Sequence, residues 1–456
     1  MENKRPEIVV PEQAAKRGRI LRGELRSADT RILGVLAQFS KIAPSNKKAK
    51  IFFYPTLEQA KTLQLARPPF SFEGTVMLRD RVQAHYRATE IWPKYGSEIS
   101  SYEILCFTQC SGRLADLRVT IASQAKREKS TSGGAWFLAN ECFLVQLLAT
   151  PDEDYSRQLK ELKLARPVHR FQISDGATAE FARIASQHSF KANKKIRNRD
   201  YAIQVDGAKD AATAEKDIEC LLILASLASR ERSEFWFRSV QESPQMRSEV
   251  WRFGMGEFSK RPDGEEPLLV RDSEHCSKFL SVAYKAYMSS SNGLLLDSAV
   301  YALLSRDLAL ETRIVNLVSG VQRALLFALP KSNKQAWQKI EPLYRKFERR
   351  YVIDLSDLWP LFDGRSGVSL YAIRNALVHG GVFTDNKDFI ALSVAAENLK
   401  WILERILLVA LGWDIELSSV SPKKLLWNTA HNWKEEQRHL AILLRSRKTK
   451  GPTNTP

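Results

Sequence analysis

Apolar and polar positions follow a two-residue period in the first half of the chain and a helical period in the second. Three segments of the first half have strand character: 70–78, which alternates, 102–107, and 135–145 after a glycine-rich turn. From Ala211 onward, apolar residues recur every three or four positions, interrupted by an aromatic run at 235–237 that suits a strand. The pattern predicts an α+β protein, with a strand-rich N-terminal domain, sandwich-like or a half-barrel, followed by a domain of packed helices.

Changes of pattern and composition predict five segments. They are 1–64, a basic N-terminal arm or entry segment; 65–210, a strand-rich recognition or regulatory domain; 211–270, a mixed helical connector; 271–420, the helical domain; and 421–456, a basic C-terminal helix with a disordered tail. The clearest border is the loop at 261–267, where proline, glycine and acidic residues cluster.

Composition is that of an ordinary globular protein. With 456 residues, 44% of them hydrophobic, the chain can bury more than one core. Its apolar runs are short or broken by charge, as at 401–406, so no membrane span is expected. The N-terminus has no apolar signal core, and the five cysteines include no Cys-x-x-Cys pair. These features predict reduced thiols in a cytoplasmic protein.

Positive charge is concentrated at the two ends of the chain. The net charge is +17; residues 1–200 hold 34 Lys and Arg against 21 Asp and Glu, residues 201–300 hold 12 against 16, and the remainder hold 23 against 15. Lys and Arg attract phosphates over a distance and release counterions on contact. The charge therefore favours a polyanionic partner, although positive clusters are also common on solvated faces.

One basic cluster lies inside the predicted helical domain and mixes cations with aromatic residues. Its candidate RNA-binding residues are Lys339, Arg345, Lys346, Arg349 and Arg350. Tyr344, Phe347 and Tyr351 are interleaved with them, and such rings could stack on unpaired bases. Because the three rings have helical spacing, a buried apolar stripe is the favoured alternative to stacking.

The strongest chemical pattern is the run from Arg374 to His379. Arg374 offers a charged planar fork that matches phosphate oxygens, and His379 can transfer protons near neutral pH. Asn375 and His379 are four residues apart, so both face the same side of a helix. Gly380-Gly381 suits a helix C-cap, which would place His379 at an exposed helix end. This group is predicted to act on phosphodiesters, although Arg-x4-His also arises by chance and a histidine before glycine can be a simple cap.

Other chemistries have weaker support. Pro151-Asp152 followed by Glu161 and Lys163 imitates the pattern of metal-dependent nucleases, but its interval is short and looks helical. The sequence has no phosphate-binding Gly-x4-Gly-Lys loop and no His-Glu-x-x-His motif, and its other histidines lack metal-ligand spacing. We therefore expect no metal and no cofactor.

The run Arg374-Asn375-x-x-x-His379 resembles the signature of the HEPN superfamily, and within it the Apea-like group of bacterial anti-phage and abortive-infection systems. Segment 310–329 is similar to the family's first long helix, and 397–413 is similar to its closing apolar helix. The resemblance covers about residues 275–420. It implies that 271–420 is an all-α HEPN helical bundle with Arg374, Asn375 and His379 as catalytic residues.

The resemblance also implies an activity and partners. It implies a metal-independent endoribonuclease toxin that cleaves host RNA, with tRNA as one candidate, after an unknown phage-derived trigger. RNA cleavage without metal needs one base for the 2′-hydroxyl and one acid for the 5′-oxygen, and one histidine serves both sides poorly. A homodimer through the helical domain would supply two copies of His379. The alternative is a non-catalytic RNA-binding or sensor protein whose HEPN domain only dimerises.

Overall fold

The computed structural model describes most of the helical half of the chain and the strand core of the first half. The described residues are 20–39, 50–54, 57–77, 83–96, 109–113, 116–122, 133–139, 142–149, 168–185, 199–208, 210–243, 246–252, 265–269, 272–306, 308–329, 339–362, 368–379 and 386–449. Two compact units divide the chain. The first unit contains Met1–Glu141, Val145–Glu219 and Ser233–Phe258, and the second contains Cys142–Leu144, Cys220–Arg232 and Ser259–Pro456.

The first unit is built on an antiparallel sheet. Its described strands are β1 Ile20–Arg26, β2 Arg31–Phe39, β3 Lys50–Tyr54, β4 Phe70–Met77, β5 Gln83–Gly96, β6 Gln109–Arg113, β7 Asp116–Ala122, β8 Gly133–Leu138, β9 Arg170–Gln172, β10 Thr178–Ala185, β11 Arg199–Asp206, β12 Phe235–Ser243 and β13 Met246–Arg252. Their order is β4-β1-β2-β3-β6-β5-β7-β13-β12-β8-β11-β10-β9. Because β4 also pairs with β5, the first six strands of this order close into a ring.

Alternating side chains explain why these strands form one core. Leu21 and Leu25 on β1 are buried, and they join a cluster that includes Phe53 and Phe72, whose ring centroids are 5.8 Å apart. Between β1 and β2 the register shifts by one residue, which leaves Gly34 unpaired with a φ of +71°. Glycine accepts this left-handed backbone without strain, and such a bulge increases strand twist.

The α+β class is confirmed, with strands in the N-terminal half and helices in the C-terminal half. The predicted strands at 70–78 and 235–237 correspond to β4 and β12, whereas 102–107 lies outside the described residues. Part of the prediction for 135–145 is wrong, because Phe143–Leu148 is a short helix. Its apolar run is too short for periodicity to separate a buried helix from a strand. The described strands form one connected sheet, in place of the two separate sheets of a sandwich.

The strands also extend beyond the segment 65–210 that the pattern indicates. The sheet begins at Ile20, inside the predicted entry segment, and β12 and β13 lie inside the predicted connector. Charged residues on the solvent side of β1 and β2 make the alternation hard to recognise: Glu24 pairs with Arg26 on the same strand and with Arg31 on β2. A strand whose charged and apolar residues are mixed in this way is difficult to distinguish from a basic arm by sequence alone.

Helices form the second unit, and the first unit also contains helical residues. The described helices are α1 Leu57–Leu65, α2 Phe143–Leu148, α3 Ala211–Ser229, α4 Ser273–Met288, α5 Gly293–Leu304, α6 Leu310–Ala328, α7 Ile340–Tyr351, α8 Leu370–Val378, α9 Asn386–Ala410, α10 Pro422–Leu425 and α11 Lys434–Thr449. The predicted helices near 310–329 and 397–413 correspond to α6 and α9. The predicted tail beyond 449 lies outside the described residues.

Helix α9 is the centre of the second unit. It packs against α5, α6 and α11, and even its charged residues Lys400, Glu404 and Arg405 are buried. The segment 398–408 of this helix is buried on all sides, and such a segment can hold charges only if each one finds a partner. Arg405 does so through two 2.6 Å contacts to the carboxylate of Asp357. None of the helices in the described ranges combines the length and the apolar character that crossing a bilayer requires.

Candidate active site and nucleic-acid interface

Helix α8 carries the phosphodiester motif. It begins after Ser369, whose hydroxyl accepts a hydrogen bond from the Ala372 N–H, as N-cap serines commonly do. Leu370 and Ile373 are fully buried and attach this short helix to the second unit. The helix ends at His379, whose backbone N–H donates to the Asn375 carbonyl. The sequence prediction that His379 lies at a helix end is therefore confirmed, while Gly380-Gly381 lies outside the described residues.

Arg374 and Asn375 contact each other. Arg374 Nη1 donates to Asn375 Oδ1 over 3.0 Å, and the Arg374 guanidinium lies 5.9 Å from the centroid of the Tyr371 ring. Arg374 Nε is buried and has no hydrogen-bond acceptor among the described residues. The contact occupies the amide oxygen of Asn375 and leaves its NH₂ group as the donor end, which suits an anionic ligand.

His379 stands apart from the other two motif residues. Its ring is exposed, whereas Arg374 and Asn375 are half-buried. Within the part of the chain that the structure describes, no hydrogen bond joins the His379 ring to either side chain. The chain therefore brings two of the three predicted catalytic side chains into contact, and the third is exposed at the end of the same helix.

All five candidate RNA-binding residues line one cavity of about 1180 Å³. We call it the cationic cavity; its charged lining consists of Lys339, Arg345, Lys346, Arg349, Arg350 and Glu341. Five cations thus face one carboxylate. Among the described residues, Arg345 of this group forms an ion pair with Glu348 at 3.0 Å, and both side chains are partly exposed. A lining in which cations outnumber carboxylates in this way favours a polyanion over a neutral ligand.

The interleaved aromatic residues of α7 belong to the core. Tyr344 and Phe347 are buried, and burial raises the pKa of Tyr344 well above its ordinary value. The hydroxyl of Tyr351 donates to the Ala328 carbonyl at 2.9 Å. The favoured prediction of a buried stripe is therefore confirmed for Tyr344 and Phe347, and these rings do not offer faces to bases.

Two other aromatic residues line the cationic cavity, and sequence patterns did not indicate them. Phe362 and Tyr371 lie with ring centroids 5.2 Å apart at the cavity. Phe362 is buried, while Tyr371 is partly exposed. Tyr371 belongs to α8 and also faces Arg374. The motif helix therefore borders the cationic cavity through this one side chain. Tyr371 and the nearest cations of α7 are about 20 positions apart in the sequence.

The sequence patterns considered for other chemistries do not form a second catalytic site among the described residues. In the described ranges, no group of three or more His, Cys, Asp and Glu side chains is placed to hold a metal ion. The imitation of a metal-nuclease pattern at 151–163 lies outside the described residues. His439 Nε2 lies 2.8 Å from Oδ1 of Asp388, a buried carboxylate; this pair was not predicted, because 51 residues separate its members.

These features together define an α+β protein with a basic, phosphate-compatible surface on its helical unit. No protein-family model, curated protein or solved structure matches the chain.

Proposed function

We propose that the protein is a metal-independent endoribonuclease of the HEPN type and that Arg374, Asn375 and His379 are its catalytic residues. The observation that carries this proposal is the contact of Arg374 with both Asn375 and Tyr371, whose ring also lines the cationic cavity. A strand bound along the cavity through its phosphates would pass close to a guanidinium that keeps one unused N–H.

The reaction follows from the chemistry of these groups. A base removes the proton of the 2′-hydroxyl, the 2′-oxygen attacks the adjacent phosphorus, and the bond from phosphorus to the 5′-oxygen breaks. An acid donates a proton to the departing 5′-oxygen. The products are a 2′,3′-cyclic phosphate and a 5′-hydroxyl. Arg374 stabilises the charge that develops on the phosphoryl oxygens, and Asn375 orients the phosphate or the histidine.

We propose a homodimer through the helical unit, because one histidine serves two proton transfers on opposite sides of phosphorus poorly and a dimer supplies two. The exposed position of His379 on one protomer supports this arrangement. Apolar side chains of the helical unit are also exposed: Val378, next to His379 in sequence, by 49%, and Phe389 and Ile390 on α9 by 42% and 57%. Exposed apolar side chains of this size favour self-association.

The biological role is proposed from the family resemblance alone. In that role the protein is a toxin of abortive infection that cleaves host RNA, with tRNA as one candidate, in response to a phage-derived trigger. The strand-rich unit would then serve recognition or restraint, and the expected location is the cytoplasm.

A cleavage assay on total RNA tests the proposed activity. Purified wild type should cleave RNA in the presence of EDTA and leave DNA intact, since DNA lacks the 2′-hydroxyl. His379→Ala should lower the rate about 100- to 10,000-fold, whereas His85→Ala, which removes an exposed histidine of the other unit, should not. Arg374→Lys should also lose most activity, because an ammonium cannot form a bidentate contact. Loss of cleavage with EDTA, or wild-type rates for His379→Ala, would show that the site is wrong.

A non-catalytic RNA-binding or sensor protein is the second candidate. The absence of a hydrogen bond between the His379 ring and the other two motif side chains, within the described residues, favours this alternative. Overproduction in a bacterial host separates the two functions. Growth arrest by wild type but not by His379→Ala would support the nuclease, and identical growth would support the binding protein.

A further inference from the structure

The second unit contains another cavity, of about 910 Å³, whose walls are ion pairs. We call it the ion-pair cavity; it is defined by Arg230, Glu265, Arg313, Lys400, Ser419 and Trp427. No residue of the cationic cavity lines it. Its charged groups are not needed for the proposed nuclease reaction, so they require a separate explanation.

Arg230 holds an unusual backbone conformation at this cavity. It follows helix α3 with a φ of +56°, and its N–H and the next N–H bond back to the carbonyls of Leu227 and Ser226. This is a helix C-cap in which glycine is the usual residue, because a side chain is strained in the left-handed region. Strained residues of this kind occur frequently at ligand sites.

The side chain of Arg230 explains why glycine is absent there. Its Nε and Nη2 donate to the two carboxylate oxygens of Glu404 over 2.7 Å each, and its Nη1 donates to the Glu266 carbonyl at 2.9 Å. Glu404 is fully buried. The guanidinium is thereby fixed as one rigid wall of the ion-pair cavity.

Cations slightly outnumber carboxylates around this cavity. Glu265 is shared by Arg230, Arg306 and Lys400, and Glu397 is shared by Lys400 and Arg313. Five cations thus face four carboxylates. The cations are Arg230, Arg306, Arg313, Lys400 and the exposed Lys424, and the carboxylates are Glu265, Glu397, the exposed Glu266 and, behind Arg230, Glu404. An anionic group that enters the cavity therefore meets a positive surface.

Two buried polar atoms of residues that line the cavity have neither a hydrogen bond nor an ion pair among the described residues. Arg313 Nε and Ser419 Oγ are buried and have no hydrogen-bond partner in the described part of the chain, and Ser419 is only 8% exposed. Buried polar groups without partners are rare, and each one requires an explanation such as a missing ligand or water. Both atoms can donate to an oxyanion, as the side chains of phosphate sites do.

An aromatic residue stands at the rim of the same cavity. Trp427 is 92% exposed, although it is described within a segment held in place by hydrogen bonds. The Asn428 N–H donates to the Leu425 carbonyl, and the Asn428 side chain accepts from the Ala430 N–H at 2.9 Å. A fully exposed indole beside a cationic cavity is suited to stack on a planar ring.

We propose that the ion-pair cavity is a binding site for a small organic phosphate that carries a planar heterocycle. The phosphate accepts hydrogen bonds from Arg313 and Ser419 and is attracted by Lys424, and the heterocycle stacks on Trp427. This site is independent of the proposed nuclease activity, since it shares no residue with the motif or the cationic cavity.

Binding of three probes to the full chain tests the proposal by calorimetry. AMP supplies phosphate and ring, ribose 5-phosphate lacks the ring, and inorganic phosphate lacks both ring and sugar. AMP should bind about 5- to 100-fold more tightly than ribose 5-phosphate, because one stacked base contributes that factor. Trp427→Ala should reduce AMP affinity to that of ribose 5-phosphate. Leu426→Ala is the matched control, since Leu426 is 67% exposed and does not line the cavity.

Two further variants locate the bound probe. Lys424→Gln, which changes an exposed side chain, should weaken all three probes. Lys346→Gln combined with Arg349→Gln, in the cationic cavity, should leave AMP binding unchanged. The proposal is overturned if none of the probes binds at millimolar concentration, if Trp427→Ala binds AMP like wild type, or if the cationic-cavity variant is the one that loses AMP.

Discussion

The two cavities of the helical unit differ in how far their cations are paired with carboxylates. In the cationic cavity, five Lys and Arg side chains face one lining carboxylate, and the ion pair at its edge, Arg345 with Glu348, is partly exposed. In the ion-pair cavity, Arg230 and Lys400 are buried and each contacts carboxylates. The solvent exposure of the charges accounts for the difference.

A cation in water needs no partner, whereas a buried cation needs one to offset its lost hydration. The cations of the cationic cavity therefore contribute little to stability and remain available to an outside anion. Those of the ion-pair cavity are part of the folded structure. Removing charges at the two places should consequently have different effects.

The largest expected effect is on stability at the ion-pair cavity. Glu404→Gln removes the carboxylate that binds Arg230 and leaves a buried guanidinium without its main counter-charge. We expect a loss of about 3–5 kcal/mol in the free energy of unfolding of the second unit. Urea denaturation followed by circular dichroism at a helical wavelength measures it.

The matched control is the same substitution at the exposed pair. Glu348→Gln removes the partner of Arg345, and the loss should be about 1 kcal/mol or less. Equal destabilisation by the two substitutions would contradict the distinction between the cavities. Replacing both Arg230 and Glu404 by methionine should restore part of the lost stability, because no charge is then left buried alone.

The second effect concerns nucleic-acid affinity at the cationic cavity. Lys346→Gln with Arg349→Gln removes two exposed cations and should change stability by no more than about 0.5 kcal/mol. In a titration of single-stranded RNA against salt, the slope of log affinity should become shallower by about 1.4, which is about 0.7 for each lost phosphate contact. Arg323→Gln, on an exposed position of α6 outside the cavity, should leave the slope unchanged. An unchanged slope for the double variant would mean that RNA binds elsewhere.

The smallest effect is a dependence of stability on acid pH. Burial raises the pKa of Glu265 and Glu397, but Lys400 and the neighbouring arginines together outweigh it, so that both pKa values lie below the ordinary 4.5. A lowered pKa in the folded state contributes stability that is present above 4.5 and is lost as the pH falls through the folded value. The free energy of unfolding should therefore fall below about pH 4.5. Glu397→Gln should make this fall less steep, and an identical pH profile would exclude Glu397 as a contributor.

Local patterns predicted the elements whose signal is contained within one helix or strand. Apolar positions at helical spacing from Ala211 onward predicted α3, and strict alternation predicted β4. The prediction of a strand as far as residue 145 is wrong at Phe143–Leu148, because a few consecutive apolar residues fit either structure. The order of the described strands could not be predicted, since pairing partners such as β1 and β4 are about 50 residues apart.

The candidate sites show the same division. The residues Arg374, Asn375 and His379 and the five cations near α7 are recognisable from type and spacing alone, because their chemistry is a property of each side chain. That the five cations line one cavity, that Tyr371 joins it to Arg374, and that Arg230 meets Glu404 across 174 positions are consequences of packing. Burial and long-range contact depend on which helix faces meet. A one-dimensional pattern specifies the faces but not the partner against which each face packs.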